Sequence, residues 1–282
     1  MQRKMTADSS ANLYAADCAD FTPVPLRIVT AEREYCDDAA LDVPAMLGEL
    51  KSYKGRSGTS CPSVEDWLAA FGDAEEVFGV ALTSRLSGCY NTALVAAQDY
   101  REAHPGRRVF SLDSKSTGPE MELLVERGCA LLPTDRRFTE VCDALTAYWK
   151  HTHLAFSLES LDNFAKNGRV SPVLAKAAGL LGIRIVGRAS ASGDLEPLHK
   201  CRGEKAAVEQ LTADLLAAGY AGGRVRIRHS ANRPMAAALA AELRLRFPGC
   251  DVRIAENRGI CSFYAEKGGL LVGFEDAGAP EL

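Results

Sequence analysis

Small hydroxyl side chains collect in four short segments in the first half of the chain, and three of these segments directly follow a predicted strand. The segments are Asp8-Ser9-Ser10, Thr59-Ser60, residues 83–88 (TSRLSG) and Asp113-Ser114-Lys115-Ser116. In an open α/β sheet, ligands bind at the carboxyl ends of the strands. Serine and threonine also cap helices and shape turns, and this structural role explains any one segment best. The four segments together favour a binding site for an anionic group.

The pair Ser87-Gly88 carries the sharpest signal. Residues 77–82 (VFGVAL) form a short apolar run typical of a buried parallel strand, and a helix is predicted to begin at about Cys89. A carboxylate or a phosphate in the intervening loop could accept hydrogen bonds from Ser87 Oγ and from the free amides of the helix N-terminus.

Other chemistry-bearing residues give weaker signals. The sequence contains no G-x-S-x-G elbow, no P-loop and no G-x-G-x-x-G motif. His151 and His153 could share a strand face, but no carboxylate or cysteine stands at ligand spacing, so we predict no metal site. His229 is interpreted as a structural or surface residue. The nine cysteines are odd in number and contain no C-x-x-C pair, which predicts free thiols in a reducing compartment.

The elements that position these residues alternate between strand and helix in the first half, which predicts a parallel sheet flanked by helices. The predicted strands span residues 4–7, 24–29, 77–82 and 109–112, and the predicted helices span 63–71, 89–103, 120–132 and 138–150. Ser63 is the expected N-cap of the first of these helices.

The second half has a different pattern, with a hairpin in place of regular alternation. Strands are predicted at residues 153–157, 183–189, 195–200, 225–229, 252–255 and 270–274, and helices at 160–166, 173–181, 203–218 and 235–246. We therefore predict an α/β protein with two α/β domains, residues 1–152 and 153–282. The last segment is a candidate to pack back on the first domain.

Length, charge and hydrophobic pattern limit the classes of protein to which this chain can belong. The 282 residues suffice for about two domains at roughly 150 residues each. The net charge of −4 with 25% charged residues gives no general attraction to nucleic acid or to anionic membranes. The N-terminus lacks the apolar region of a signal peptide, and no run approaches the roughly 18 apolar residues of a membrane span. We expect a cytoplasmic protein with neither a nucleic-acid partner nor integral membrane association.

Several segments resemble, in order, the motifs of the DegV family of bacterial fatty-acid-binding proteins. Residues 6–13 (TADSSANL) resemble its opening T-D-S-[ST]-A-D-L, and residues 59–63 (TSCPS) resemble T-S-Q-P-S. Residues 83–90 (TSRLSGCY) resemble S-S-x-L-S-G-T-Y and form the most specific stretch. Residues 161–170 and 200–202 look like L-x-x-L-x-K-G-G-R-I and K-x-R. The shared order makes chance agreement improbable.

The resemblance implies two α/β domains that hold a long-chain fatty acid in an apolar tunnel between them. It also implies a role for each of several residues. The carboxylate would lie at Thr59, Ser60, Ser87, Gly88 and Tyr264, the tunnel mouth or a partner contact at Arg169 and Arg202, and the supporting loops at Asp8, Ser9, Asp113 and Ser114. No cofactor or metal is implied.

The resemblance further implies a partner in phospholipid metabolism. In the fatty acid kinase system the binding protein has no catalytic machinery of its own. It presents the carboxylate to a separate ATP-dependent kinase subunit, which forms acyl phosphate. The absence of an ATP motif in this chain fits that division of labour.

The chain departs from the family pattern at three places. Residues 264–268 (YAEKG) align with H-[TS]-G-P-G, so Tyr264 stands for the family histidine; Asn167-Gly168 replace a glycine pair, and Glu120 brings a carboxylate near the presumed site. These changes leave two alternatives open. One is a degenerate member with a lipid-binding or regulatory role only. The other is a small-molecule enzyme acting on a phosphorylated substrate, which would need an open polar cleft.

Overall fold

The computed structural model describes residues 2–18, 20–178 and 182–281. The elements that precede residue 152 are, in chain order, β1 (Arg3–Asp8), a 3₁₀ helix (Ser9–Ala11), β2 (Phe21–Val24), β3 (Arg27–Val29), β4 (Glu34–Cys36), α1 (Val43–Ser52), β5 (Gly58–Ser60), α2 (Val64–Phe71), β6 (Glu76–Ala81), α3 (Cys89–Ala103), β7 (Arg108–Asp113), α4 (Pro119–Leu131) and α5 (Phe138–Trp149).

The elements that follow are β8 (Thr152–Leu158), α6 (Asp162–Lys166), α7 (Pro172–Ala178), β9 (Ile183–Ala189), β10 (Leu195–Arg202), α8 (Gly203–Ala217), β11 (Val225–His229), α9 (Arg233–Arg246), β12 (Val252–Glu256), α10 (Gly259–Ala265) and β13 (Leu270–Glu275). The end of the predicted helix 173–181 lies outside the described residues.

The first sheet has the strand order β2-β1-β6-β7, and all of its pairings are parallel. Every residue of β6 is buried, as expected for an apolar strand covered on both faces. The predicted N-cap is confirmed: Ser63 Oγ accepts a hydrogen bond from Asp66 N, and the Asp66 carboxylate accepts one from Ser63 N. The predicted parallel sheet flanked by helices is therefore confirmed.

The prediction of one strand over residues 24–29 is wrong. The chain leaves the first sheet at Val24, and β3 belongs to a separate three-stranded antiparallel sheet with the order β4-β3-β5. Pro25 separates the two strands, because proline has no N–H to donate to a ladder and its φ is fixed. Sequence analysis also missed α1, α10, β4 and β5.

The second sheet has the order β10-β9-β8-β13-β11-β12, in which only the pair β11 and β12 is parallel. Its strands begin at Thr152, close to the predicted domain boundary. One hydrophobic core, however, contains residues of both halves, including Phe78 and Phe156. The boundary between residues 152 and 153 therefore stays a prediction.

Helix α4 lies between the two sheets and is nearly enclosed by them. Every residue from Pro119 to Val125 is buried. The helix approaches β13 so closely that a Cβ at Gly273 would collide with the backbone of Pro119. Glycine is required at this position for steric reasons, because its hydrogen lets helix and strand meet.

Two arginines of β11 form ion pairs with carboxylates of α4. Arg228 donates from Nε and Nη2 to the two carboxylate oxygens of Glu122 at 2.7 and 2.6 Å, and both residues are buried. Arg226 makes the same two-pronged contact with Glu126 at 2.8 and 2.7 Å. Paired N–H donors match the geometry of a carboxylate, so these contacts fix the orientation of the second sheet on α4.

Helix α10 returns to the first half of the chain. Both oxygens of the Asp37 carboxylate accept hydrogen bonds from the backbone amides of Gly259 and Ile260, at 2.9 and 3.0 Å. Asn12 contributes a 3.0 Å bond to Asn257. A carboxylate at a helix N-terminus satisfies amides that have no partner within the helix.

The expectation that all cysteines are free is wrong for Cys18 and Cys129, which form a disulfide across a sequence separation of 111 residues. Their Cα atoms lie 5.5 Å apart because α4 packs beside the segment that follows the 3₁₀ helix. The other seven cysteines are free. Such a pairing between distant residues has no signature in sequence spacing.

Two histidines at the start of the second half contact the same carboxylate. His151 Nδ1 and His153 Nε2 each lie 2.9 Å from an oxygen of Asp276.

Over the described ranges, we find no helix with the length and apolar character needed to cross a bilayer.

We predict that Glu122→Ala lowers the free energy of unfolding by about 3–5 kcal/mol, because the buried guanidinium of Arg228 loses its counter-charge. Urea unfolding followed by circular dichroism measures this change. Glu242→Ala is the matched control, because its partner Arg246 lies on the same helix and is exposed to solvent. We expect this variant to lower the free energy of unfolding by less than about 1 kcal/mol. Equal effects in the two variants would show that the α4–β11 ion pair does not hold the sheets together.

Candidate ligand-binding site

A cavity lies between the carboxyl ends of the first sheet and the facing side of the second sheet. It contains about 810 Å³ of space free of protein atoms, part of it open to solvent. Its aliphatic and aromatic lining residues are Leu26, Leu82, Leu86, Leu154, Phe156, Leu158, Phe164, Ala189, Leu195, Ile260, Ala265 and Leu271. Its lining is therefore mainly hydrocarbon, with a few polar side chains.

The wall that the second sheet contributes follows from strand alternation. Leu154, Phe156 and Leu158 stand two residues apart on β8, so they face the same side of the sheet. Leu271 of β13 pairs directly with Phe156 and widens the apolar surface. The period-two pattern of residues 153–157 predicted the strand, but only the packed sheet shows which face meets the cavity.

One group of hydroxyls meets inside the cavity. Thr59 Oγ1 and Tyr264 Oη lie 2.7 Å apart, although 205 residues separate them in sequence. The ring of Phe164 lies 4.8 Å from the ring of Tyr264 and holds it in place. Burial raises the pKa of Tyr264 above its ordinary value of about 10, so its hydroxyl stays protonated at neutral pH and can donate a hydrogen bond.

Ser87 lines the same cavity just before α3. Its Oγ lies 3.1 Å from Cys89 Sγ, a weak partner that leaves the hydroxyl able to bind another group. The N-cap of α3 is Gly88, which has no side chain to cap this fifteen-residue helix, and the first amide, Cys89 N, donates to Ser87 Oγ at 3.4 Å. The helix N-terminus thus adds partial positive charge beside Ser87.

Arg169 brings a full positive charge to the cavity lining. Its Nε donates to Leu86 O at 3.2 Å, and its Nη1 donates to Asn167 O at 2.5 Å. The guanidinium therefore ties the loop that contains Ser87 to the segment after α6. Thr59, Ser87, Arg169 and Tyr264 are the sequence-predicted site residues that the structure brings into one cavity.

Asp8 and Ser9 do not line the cavity, but their hydrogen bonds hold the loops that do. The Asp8 carboxylate accepts hydrogen bonds from Leu82 N at 2.6 Å and from Ser10 N and Oγ at 3.1 and 2.5 Å. Full burial raises its pKa to about 6. Ser9 Oγ accepts from Leu26 N at 3.0 Å. These bonds connect the ends of β1 and β6 and fix the loop that leads to Ser87.

Asp113 and Ser114 hold the neighbouring loop in the same way. Asp113 accepts from Ser84 Oγ and from Lys115 Nζ, both at 2.6 Å, and Ser114 Oγ donates to Ser116 O at 3.0 Å. Neither residue lines the cavity. Their hydroxyl and carboxylate groups shape turns, which is the structural role that sequence analysis weighed for each segment.

Three other sequence-predicted residues do not line the cavity. Ser60 is exposed at the end of β5, Gly88 is half-buried at the start of α3, and Arg202 is exposed at the end of β10. Glu120 is buried on α4 and accepts a hydrogen bond from Thr152 at 3.0 Å, also outside the lining. The roles assigned to Ser60, Gly88 and Arg202 stay predictions.

The turn between β9 and β10 covers part of the cavity. Thr83 Oγ1 donates to Gly193 O at 3.0 Å, and Arg85 forms a 3.1 Å ion pair with Asp194. Gly193 has a φ of +90°, and a Cβ there would collide with Thr83 Oγ1. The hydrogen bond between the two halves of the chain therefore depends on glycine at this position.

The chain is similar to one protein family over nearly its whole length. A family model described as "Uncharacterised protein, DegV family" matches residues 3–276. A DegV domain-containing protein of Streptococcus pneumoniae is 42% identical over 255 residues, which is 90% of this chain and 91% of the relative.

Two solved structures superpose closely on this one. A DegV family protein from Eubacterium eligens, loaded with heptadecanoic acid, has a TM-score of 0.95 at 42% identity and covers 97% of this chain and 99% of its own. The fatty acid kinase (Fak) B3 protein of Streptococcus pneumoniae, loaded with linoleic acid, has a TM-score of 0.95 at 40% identity. The match covers 98% of this chain and 99% of that protein.

We predict that Gly193→Ala loosens the turn over the cavity, because the added methyl group collides with Thr83. Faster amide hydrogen exchange at residues 190–195 would report this change. Gly106→Ala is the matched control: Gly106 has a similar φ of +98°, but a Cβ there would meet no atom within 4 Å. If amide exchange in the turn is as slow in Gly193→Ala as in Gly106→Ala, the turn does not depend on the close approach of Gly193 to Thr83.

Proposed function

The chain belongs to the DegV family, and from that premise we propose that it binds one long-chain fatty acid in the apolar cavity. The acyl chain lies along β8 and β13, and the carboxylate lies at Thr59, Ser87 and Tyr264 with Arg169 nearby. The observation that carries the proposal is an apolar cavity lined by the hydroxyl residues Thr59, Ser87 and Tyr264, in a chain about 40% identical to proteins solved with heptadecanoic and linoleic acid.

The physics of the ligand supports this placement. Each buried methylene group contributes about 0.8 kcal/mol, so a long hydrocarbon tail supplies most of the affinity. The carboxylate loses its hydration on entry and needs compensating hydrogen bonds. Neutral Tyr264 and Thr59, the Ser87 hydroxyl and the amides in the first turn of α3 are donors of the required kind. Ser60 and Gly88 remain candidates for the outer side of the same carboxylate.

The second part of the proposal concerns a partner. The bound carboxylate is presented to a separate ATP-dependent kinase subunit that forms acyl phosphate, so the chain itself acts as a binding subunit rather than as an enzyme. The likeness to a fatty acid kinase B3 protein supports this role. Arg202 is exposed at the end of β10, where a partner can reach it. This function belongs to phospholipid metabolism.

Two alternatives differ from this proposal in what the site must contain. An enzyme acting on a phosphorylated substrate needs an open polar cleft, whereas this cavity is lined mainly by hydrocarbon. A member with a lipid-binding or regulatory role only would keep the cavity and lose the partner. Tyr264 in place of the family histidine favours this second alternative, because tyrosine donates a hydrogen bond but carries no positive charge.

We predict that Ser87→Ala combined with Thr59→Val weakens fatty acid binding at least about tenfold, because each hydrogen bond to a charged group contributes about 1.5–3 kcal/mol. Native mass spectrometry of the protein purified from bacteria identifies the bound lipid, and titration of lipid-free protein with linoleic acid gives the affinity.

Thr117→Val is the control for this experiment, because it removes a lining hydroxyl outside the Thr59–Ser87–Tyr264 group. Purified protein that carries no lipid and does not bind linoleic or heptadecanoic acid would overturn the proposal. Equal affinities in the double variant and the control would place the carboxylate elsewhere in the cavity.

We predict that Arg202→Ala retains fatty acid binding but lowers acyl-phosphate formation in the presence of a matched fatty acid kinase subunit and ATP. The reason is that Arg202 is exposed and does not line the cavity. The reaction is followed with radiolabelled ATP, and Arg101→Ala, an exposed arginine on α3, serves as the control. Acyl-phosphate formation that is unchanged in Arg202→Ala contradicts the assigned partner contact.

A further inference from the structure

A second, larger recess lies on the other side of α10 from the fatty-acid cavity. It contains about 2150 Å³ of space that includes open solvent. Ile260, Cys261 and Tyr264 of α10 line the first cavity, whereas Ser262 and Phe263 line the second. Helix α10 is thus a partition, and the two cavities have no lining residue in common.

Five basic side chains surround this recess, which we call the basic groove. They are Lys51, Lys54, Arg56, Lys166 and Lys267. All five are exposed, and none forms an ion pair or a side-chain hydrogen bond with residues that the structure describes. Such a concentration of unpaired positive charge is unexpected in a chain whose net charge is −4.

The two carboxylates that line the groove offset this charge only in part. Glu266 Oε1 accepts hydrogen bonds from Ser160 Oγ at 2.9 Å and from Asn163 N at 3.0 Å, so this oxygen is turned towards the start of α6. Glu256 is exposed at the end of β12. The field inside the groove is therefore positive, and a concave, low-dielectric wall strengthens it.

The residues at the inner end of the groove add hydrogen-bond donors. His229 is 1% exposed, and burial lowers its pKa, so its ring is neutral at pH 7. Its Nδ1 accepts from Asn232 N at 3.4 Å, which leaves the proton on Nε2, and Nε2 has no hydrogen-bond partner. Ser230 Oγ accepts from Asn257 at 3.0 Å, so its own hydroxyl proton is available. Donors without acceptors suit an anionic ligand.

The remaining wall is apolar. Val43, Leu47 and Leu50 of α1 line it, and all three are half-buried. A ligand that fills the groove therefore has both anionic groups and an apolar or aromatic portion. A flat membrane surface matches a concave recess poorly, which favours a soluble molecule over a lipid headgroup.

From these observations we infer that the basic groove binds a soluble organic phosphate, a small molecule that carries at least two negative charges on phosphate groups together with an apolar or aromatic portion. The phosphates lie among Lys54, Arg56 and Lys267, and the apolar portion lies against α1. This site goes beyond fatty acid binding and does not depend on it, because the two cavities are separate.

The test is isothermal titration calorimetry of the full chain with ATP, inorganic pyrophosphate and adenosine at low salt. We expect ATP to bind, pyrophosphate to bind more weakly because it lacks the apolar portion, and adenosine to show no binding. We also expect affinity for ATP to fall as salt rises, since exposed charges are screened over about 8–10 Å.

The triple variant Lys54→Gln, Arg56→Gln and Lys267→Gln should weaken ATP binding at least about tenfold, because multiple phosphate contacts act together. The matched control is Arg101→Gln, Arg136→Gln and Lys200→Gln, which changes the net charge equally at exposed positions outside the groove. Linoleic acid binding, unchanged in both variants, shows that the fold and the first cavity are intact.

Three results would overturn the inference. The first is no binding of ATP or pyrophosphate at millimolar concentration. The second is equal weakening of ATP binding in the groove variant and the control, which would show a general effect of net charge. The third is binding to phosphatidylglycerol vesicles without binding to ATP, which would assign the charge to a lipid headgroup. A failure of fatty acid binding alone would bear only on the first cavity.

Discussion

The close packing of α4 between the two sheets is the constraint on which the rest of the molecule depends. Glu122 and Arg228 form a buried two-pronged ion pair, and Gly273 lets β13 approach the start of the helix. Breaking such a pair leaves an uncompensated charge in a low-dielectric interior, which is costly. The separation and angle of the two sheets are therefore fixed, and the cavity is the space that remains between the carboxyl ends of the first sheet and the facing side of the second.

The hydroxyl groups of the first half divide into two populations with different tasks. Those at Ser9 and Ser114 are used up in backbone hydrogen bonds that shape loops. Those at Thr59 and Ser87 reach the cavity. Asp8 and Asp113 hold the loop that leads to Ser87, whereas Thr59 is held by the pairing of β5 with β3. Under the proposed function, a binding surface held by such hydrogen bonds lowers the entropy that binding must overcome.

Helix α10 connects both cavities to the first half of the chain. Asp37 binds the amides at its N-terminus, and Tyr264 near its other end meets Thr59. One face of the helix is turned to a cavity lined by hydrocarbon, and the other to a groove rich in exposed lysines. A short helix of seven residues can face two chemically different sites because neighbouring side chains project about 100° apart.

The sequence by itself determined the local elements and the family. Apolar periodicity and the Ser63 cap placed β6, α2 and α3 almost to the residue, because these signals depend on near neighbours. It did not predict α10, the break at Pro25 or the Cys18–Cys129 disulfide. Tertiary structure alone decided that Thr59 and Tyr264 lie in direct hydrogen-bond contact and which face of β8 meets the cavity, since local periodicity does not specify which distant elements pack together.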